Sequence, residues 1–202
     1  MIRLYLVTDR RLVSDLPSAV RAALSGIPPG TAAVQLREKD LPAARLLDLA
    51  RQLVPICRAA SAPLLVNDRA DVALAAGADG VHLPSQGIPV AQARSLLGRG
   101  KLVGASCHTP AEIADAHAAD ADFALFGPVW ESPGKTAQGL AALKGAVRAS
   151  PLPVLAIGGV TPETARLAID AGAAGVACIR AVLGALDPAA AARDLHLAMT
   201  TD

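Results

Sequence analysis

The sequence predicts an α/β protein, a (β/α)8 TIM barrel, on three observations. Short apolar runs of strand type alternate with Ala/Leu-rich stretches of helical period eight times along the 202 residues. Near-continuous apolar strands separated by helices belong to a parallel sheet buried on both faces. Eight units in about 200 residues, with no GxGxxG after the first strand, favour a closed barrel near its lower size limit over an open doubly wound sheet.

Taken in order, the first strand is 3–8 (RLYLVT), followed by a helical pattern over 15–25. Strand 32–37 (AAVQLR) leads to the long helix 41–60, strand 63–67 (PLLVN) to helix 69–76, and strand 79–83 (DGVHL) to helix 89–97. Strand 101–106 (KLVGAS) precedes helix 110–119, where Thr109-Pro110-Ala111-Glu112 offers an N-cap threonine and then proline at the first helical position. Strand 122–127 (DFALFG) precedes helix 138–149. Strand 153–157 (PVLAI) precedes helix 161–171, which starts with the same capping pattern, Thr161-Pro162-Glu163-Thr164. Strand 174–178 (AGVAC) and a terminal helix from 188 to about 200 complete the series. Ala76-Gly77-Ala78-Asp79-Gly80-Val81 and Ala171-Gly172-Ala173-Ala174-Gly175-Val176 repeat one helix-stop and strand-start pattern, with glycine suited to the left-handed residue after a helix. Neither linker nor composition shift divides the chain, so one domain over 1–202 is expected.

Hydrophobic residues make up 52% and charged residues 18%, enough apolar surface to bury a core, which excludes disorder. The net charge of +1 and four aromatics (Tyr5, Phe123, Phe126, Trp130) supply neither a basic footprint nor stacking platforms, so no nucleic-acid partner is expected. Cys57, Cys107 and Cys178 form no CxxC pair, which points to neither disulfides nor zinc and fits a reducing cytosol. The apolar run at the N-terminus is too short for a signal h-region, and none reaches roughly 18 residues. A cytoplasmic protein with no membrane partner is expected, with homo-oligomerisation left open.

A barrel carries its site at the C-terminal ends of its strands. After the second strand, alternation puts Gln35, Arg37 and Lys39 on one face, an anion cradle, with Val34 and Leu36 on the other. Gly158-Gly159 after the seventh strand and Cys178-Ile179 after the eighth occupy the usual barrel phosphate position. His108, ending the fifth strand, can carry a proton, with Cys107 pointing away from it. His82 is a core or site residue, whereas His117 and His196 lie in helices as surface or packing residues. Asn67-Asp68 closes the third strand, where Asp68 can cap the next helix, pair with Arg69 or bind a metal; capping is the commonest role. The loop after the fourth strand, Leu83-Pro84-Ser85-Gln86-Gly87, holds no second acid, which disfavours metal dependence. Lys135 sits in a Gly- and Pro-rich rim loop of the kind that forms lids.

Tyr5-Leu6-Val7-Thr8-Asp9, Gln35-Leu36-Arg37-Glu38-Lys39, Asn67-Asp68, Gly127-Pro128-Val129 and Ile157-Gly158-Gly159-Val160-Thr161-Pro162, in this order and spacing, resemble the thiamine phosphate synthase/TenI superfamily over nearly the whole chain. In the synthase branch the resemblance implies that Gln35, Arg37, Lys39, Lys135, Asn67 and Asp68 bind pyrimidine diphosphate and magnesium. The second magnesium carboxylate is replaced by Gly87. The Leu83-Pro84-Ser85 and Ser106-Cys107-His108-Thr109 stretches are more similar to the TenI branch. The expected activity is therefore a thiazole tautomerase. It needs no cofactor, His108 moves the proton, and Gln35, Arg37, Lys39, Asn67 and Lys135 bind a phosphorylated thiazole whose phosphate rests on Gly158, Gly159, Cys178 and Ile179. The alternatives are a magnesium-dependent thiamine phosphate synthase and a non-catalytic thiazole-phosphate binder.

Overall fold

A computed structural model describes residues 2–200. Eight parallel strands, β1 (Leu4–Val7), β2 (Ala32–Leu36), β3 (Leu64–Asn67), β4 (Gly80–Leu83), β5 (Leu102–Cys107), β6 (Phe123–Phe126), β7 (Val154–Ile157) and β8 (Gly175–Cys178), close into a barrel in chain order. Each strand pairs with its successor, and β8 returns to β1 with Leu4 opposite Val176. The (β/α)8 barrel is thus the fold.

Helices α1 (Leu16–Ser25), α2 (Ala43–Ala59), α3 (Ala70–Ala76), α4 (Val90–Leu97), α5 (Pro110–Ala118), α6 (Leu140–Ala149), α7 (Pro162–Asp170), α8 (Arg180–Leu183) and α9 (Pro188–Ala198) follow the strands. Strand alternation divides the core in two. Leu4, Leu6, Val34, Leu36 and Val66 pack outward with the helices, whereas Tyr5, Val7, Ala33, Leu65, Phe123 and Leu155 fill the barrel. Because the odd residues of β2 point inward, Arg37 beyond it emerges at the barrel mouth.

Local signals set the helix starts. The Thr109 hydroxyl accepts from the Glu112 N–H at 3.2 Å. Thr161 and Thr164 form a reciprocal capping box. Gly77 and Gly172 take φ 69° and 92° after their helices. The four-residue α8 and a 3-10 turn at Arg10–Leu12 lie outside the sequence expectation, being too short for a periodic pattern. Among the described residues, no helix is long and apolar enough to cross a membrane.

Candidate active site

A cavity of about 530 Å³ lies at the C-terminal mouth of the barrel. The order of residues at the end of β2 separates binding groups from anchors. Gln35, Arg37 and Lys39 line the cavity, whereas the intervening Glu38 turns away and is buried. Its carboxylate accepts from the Thr8 hydroxyl at 2.7 Å, the Arg10 N–H at 3.0 Å and the Arg10 guanidinium at 3.2 Å. Thr8 in turn accepts from the Arg37 N–H at 2.9 Å. Arg10 also grips Asp40 through two hydrogen bonds, holding that carboxyl down at about 2. Thr8 and Glu38 thus set the course of the main chain that carries both cations. Sequence reasoning missed them, although alternation marks Glu38 as facing opposite to its neighbours.

The floor of the cavity is an aromatic cluster. His82, 1% exposed, stacks obliquely on Tyr5 and Phe123 with ring centroids 5.5 and 5.9 Å away. Its Nε2 lies 2.9 Å from the Ser106 hydroxyl, while Nδ1 has no partner among the described residues. Burial, aided by the charge of Arg37, pushes its pKa down to about 3, so the ring is neutral at pH 7. His82 is therefore a neutral wall of the site. The Tyr5 hydroxyl is likewise buried, with no hydrogen-bond partner among the described residues.

His108 stands at the rim, with Nδ1 2.6 Å from the Gly127 carbonyl. A carbonyl only accepts, so Nδ1 donates this bond and Nε2 is left outside it. Gln138 donates to the same carbonyl at 3.1 Å. Cys107 packs outward and does not line the cavity. His117 is exposed and His196 half-buried, both remote from the mouth. In the rim loop, Ser132 and Lys135 pair as an antiparallel bridge, which brings Lys135 to the cavity edge.

Gly158 and Gly159 line the opposite side with φ 101° and 60°. A Cβ at either position would lie 2.6 Å from a side-chain carbon, of Pro128 or of Trp130 respectively. Backbone conformation and packing both demand glycine here. Ile179 lines the cavity beside them. The Cys178 side chain packs outward into the core, and burial pushes its thiol up to about 12, which leaves only its main chain for a ligand. Arg180, which sequence reasoning did not single out, also lines the mouth.

Asn67 reaches the cavity, but Asp68 neither caps α3 nor pairs with Arg69. Arg69 is itself the cap residue and bonds Asp71 at 2.6 and 2.8 Å. Asp68 is exposed at φ 60°. A Cβ on Gly87 would lie 2.6 Å from its Oδ1, so residue 87 is where a second acid would meet it. The described residues contain no group of three or more His, Cys, Asp or Glu side chains able to hold a metal.

The thiamine monophosphate synthase family model, TMP-TENI, matches residues 4–182. The "Putative thiamine-phosphate synthase" of Geobacter sulfurreducens is 48% identical over 198 residues, covering 95% of this chain and 92% of that protein. The "Thiamine-phosphate synthase" of Roseiflexus castenholzii is 43% identical over 197 residues, covering 95% and 85%. A solved structure, "Thiamine phosphate pyrophosphorylase from Pyrococcus furiosus", superposes with a TM-score of 0.90 at 34% identity and covers 98% of this chain and 95% of that one. These relatives correct the expectation of a thiazole tautomerase, since their names are those of synthases. The absent acid at Gly87 does not outweigh similarity along the whole barrel.

Proposed function

The chain belongs to the thiamine monophosphate synthase family, and on that premise we propose that it is a thiamine phosphate synthase, joining a hydroxymethylpyrimidine diphosphate to a thiazole phosphate. The observation that carries this reading is the synthase name shared by relatives 48% and 43% identical over 95% of the chain. The charge of the cavity supports it. Arg37, Lys39, Lys135 and Arg180 line it, against two carboxylates, Asp9 and Glu131, and Asp9 is already bonded to Arg11. Such a surplus suits a pair of phosphorylated substrates.

In this transfer the bond between the pyrimidine methylene carbon and the diphosphate oxygen breaks, and diphosphate leaves with the electron pair. The lone pair of the thiazole nitrogen forms the new C–N bond. Arg37, Lys39 and Lys135 bind the diphosphate and stabilise the charge it gains on leaving. Gln35 and Asn67 orient the pyrimidine end, while the Gly158-Gly159 turn and the Cys178-Ile179 main chain seat the thiazole phosphate. Held together, the two rings react as neighbours rather than by chance encounter. No bond to hydrogen is made or broken, so His108 lines the site as a hydrogen-bonding wall. His108→Ala is expected to reduce kcat by less than the roughly 10²-fold at the low end of general acid–base catalysis.

The synthase resemblance implies magnesium at Asp68 and at an acid in place of Gly87. The residues present do not fit that site. Gly87 has no side chain to offer beside Asp68, and one carboxylate is short of a protein-built divalent-cation site. No step is assigned to a cation.

Incubation with both substrates, with and without magnesium, tests the function. Thiamine phosphate and diphosphate are expected in equal amounts, and no product under either condition overturns the reading.

A further inference from the structure

Arg180 is the cation of the mouth that neither the cradle at β2 nor the rim loop accounts for. It is the first residue of α8, directly after β8, in a barrel where β8 lies between β7 and β1. It therefore stands between the Gly158-Gly159 turn and Asp9, all three lining the same cavity. The adjacent Asp9 is not its partner. Both oxygens of that carboxylate are bonded to Arg11, at 2.8 and 2.9 Å, and Arg180 acts on it only through space. The Arg180 guanidinium makes no hydrogen bond or ion pair among the described residues. It is exposed at the mouth, with its donors available to a ligand.

The glycine turn lines the cavity with main chain but carries no charge of its own. A guanidinium beside it supplies a full positive charge and a planar fork able to donate two parallel hydrogen bonds to one phosphate. We propose that Arg180 is a specificity-determining residue, its guanidinium gripping the phosphate of the phosphorylated thiazole over the Gly158-Gly159 turn, so that the protein selects the phosphate ester over the free alcohol. The identity of the thiazole rests on the synthase reading. Recognition of a phosphate monoester at this end of the cavity does not.

The experiment compares wild type with Arg180→Gln and Arg180→Lys, after thermal melts show that these exposed substitutions leave the fold intact. In Arg180→Gln the KM for thiazole phosphate is expected to rise at least tenfold, while the KM for the pyrimidine diphosphate stays within twofold. The preference for thiazole phosphate over thiazole alcohol should shrink by the same factor, and Arg180→Lys should recover part of it, having the charge without the fork. An unchanged thiazole phosphate KM, or a rise confined to the diphosphate substrate, overturns the proposal. Calorimetric titration with inorganic phosphate separates this failure from failure of the synthase reading. If wild type forms no thiamine phosphate, the reading falls, while phosphate affinity lost in Arg180→Gln still upholds the site. Affinity lost in Arg37→Gln but kept in Arg180→Gln overturns it.

Discussion

At the end of β2 one pleat separates the residues that meet a ligand from the residue that holds the strand in place. Arg37 and Lys39 face the cavity, and Glu38 between them is buried on Thr8 and Arg10. Glu38→Gln keeps the size but removes the charge that accepts three hydrogen bonds. It is expected to cost roughly 1 to 3 kcal/mol in urea unfolding and to raise the KM for the diphosphate substrate more than it changes kcat. His82 makes a prediction in pH. Its pKa falls from an ordinary 6.5 in the unfolded chain to about 3 in the fold, so between these values the unfolded chain binds the extra proton. The stability tied to neutral His82 is complete above about pH 6.5 and is lost as pH falls toward 3, at up to about 1.4 kcal/mol per pH unit. Urea midpoints between pH 7 and 5 should drop more steeply in wild type than in His82→Gln, and parallel slopes would refute the assignment. Gln35, Arg37 and Lys39 could be read from alternation because they share one side of β2 and its extension. Arg180 could not, since a lone arginine after β8 looks like any solvated charge until the barrel closes around it.

Among the elements, the helix starts are written in the chain because a cap needs only neighbouring residues. In the capping box on α7 the Thr161 hydroxyl accepts from the Thr164 N–H at 3.3 Å, and the Thr161 N–H donates to the Thr164 hydroxyl at 2.7 Å. Thr161→Ala is expected to lower stability by about 1 kcal/mol, read as a lower melting temperature. Within α2, Pro55 interrupts the hydrogen-bond ladder on an exposed face. Pro55→Ala restores a donor there, and a gain of roughly 1 to 3 kcal/mol in chemical denaturation is expected, reduced by the greater freedom of the unfolded chain. The eight strands and eight longer helices follow from periodicity. The 3-10 turn at Arg10–Leu12 and α8 do not, because three or four residues complete at most about one helical turn, too short to show a period.

Over the whole molecule the charges nearly cancel, at +1, yet the mouth of the barrel gathers four cations against one carboxylate not committed to Arg11. Affinity for inorganic diphosphate should therefore weaken several-fold as ionic strength rises from about 0.1 M to about 1 M, where the screening length shrinks from roughly 10 Å to roughly 3 Å. Calorimetric titration at both strengths checks this. Gly87→Asp places a second carboxylate against Asp68, and Mn²⁺ should then bind the protein about tenfold more tightly, about 1.4 kcal/mol. Unchanged Mn²⁺ affinity would mean that the two side chains do not meet. The tautomerase expectation rests on one absent acid and on short stretches such as Leu83-Pro84-Ser85 and Ser106-Cys107-His108-Thr109, whereas likeness to the synthases extends over 95% of the chain. The barrel, its helix caps and the glycine turn were settled by residues close together in the sequence, since periodicity and capping act over a few positions. The burial of Glu38 beneath the cradle, the neutral state of His82 and the place of Arg180 in one cavity with Gly158 and Gly159 depended on the fold, because burial and electrostatic proximity exist only once distant strands have closed into a ring.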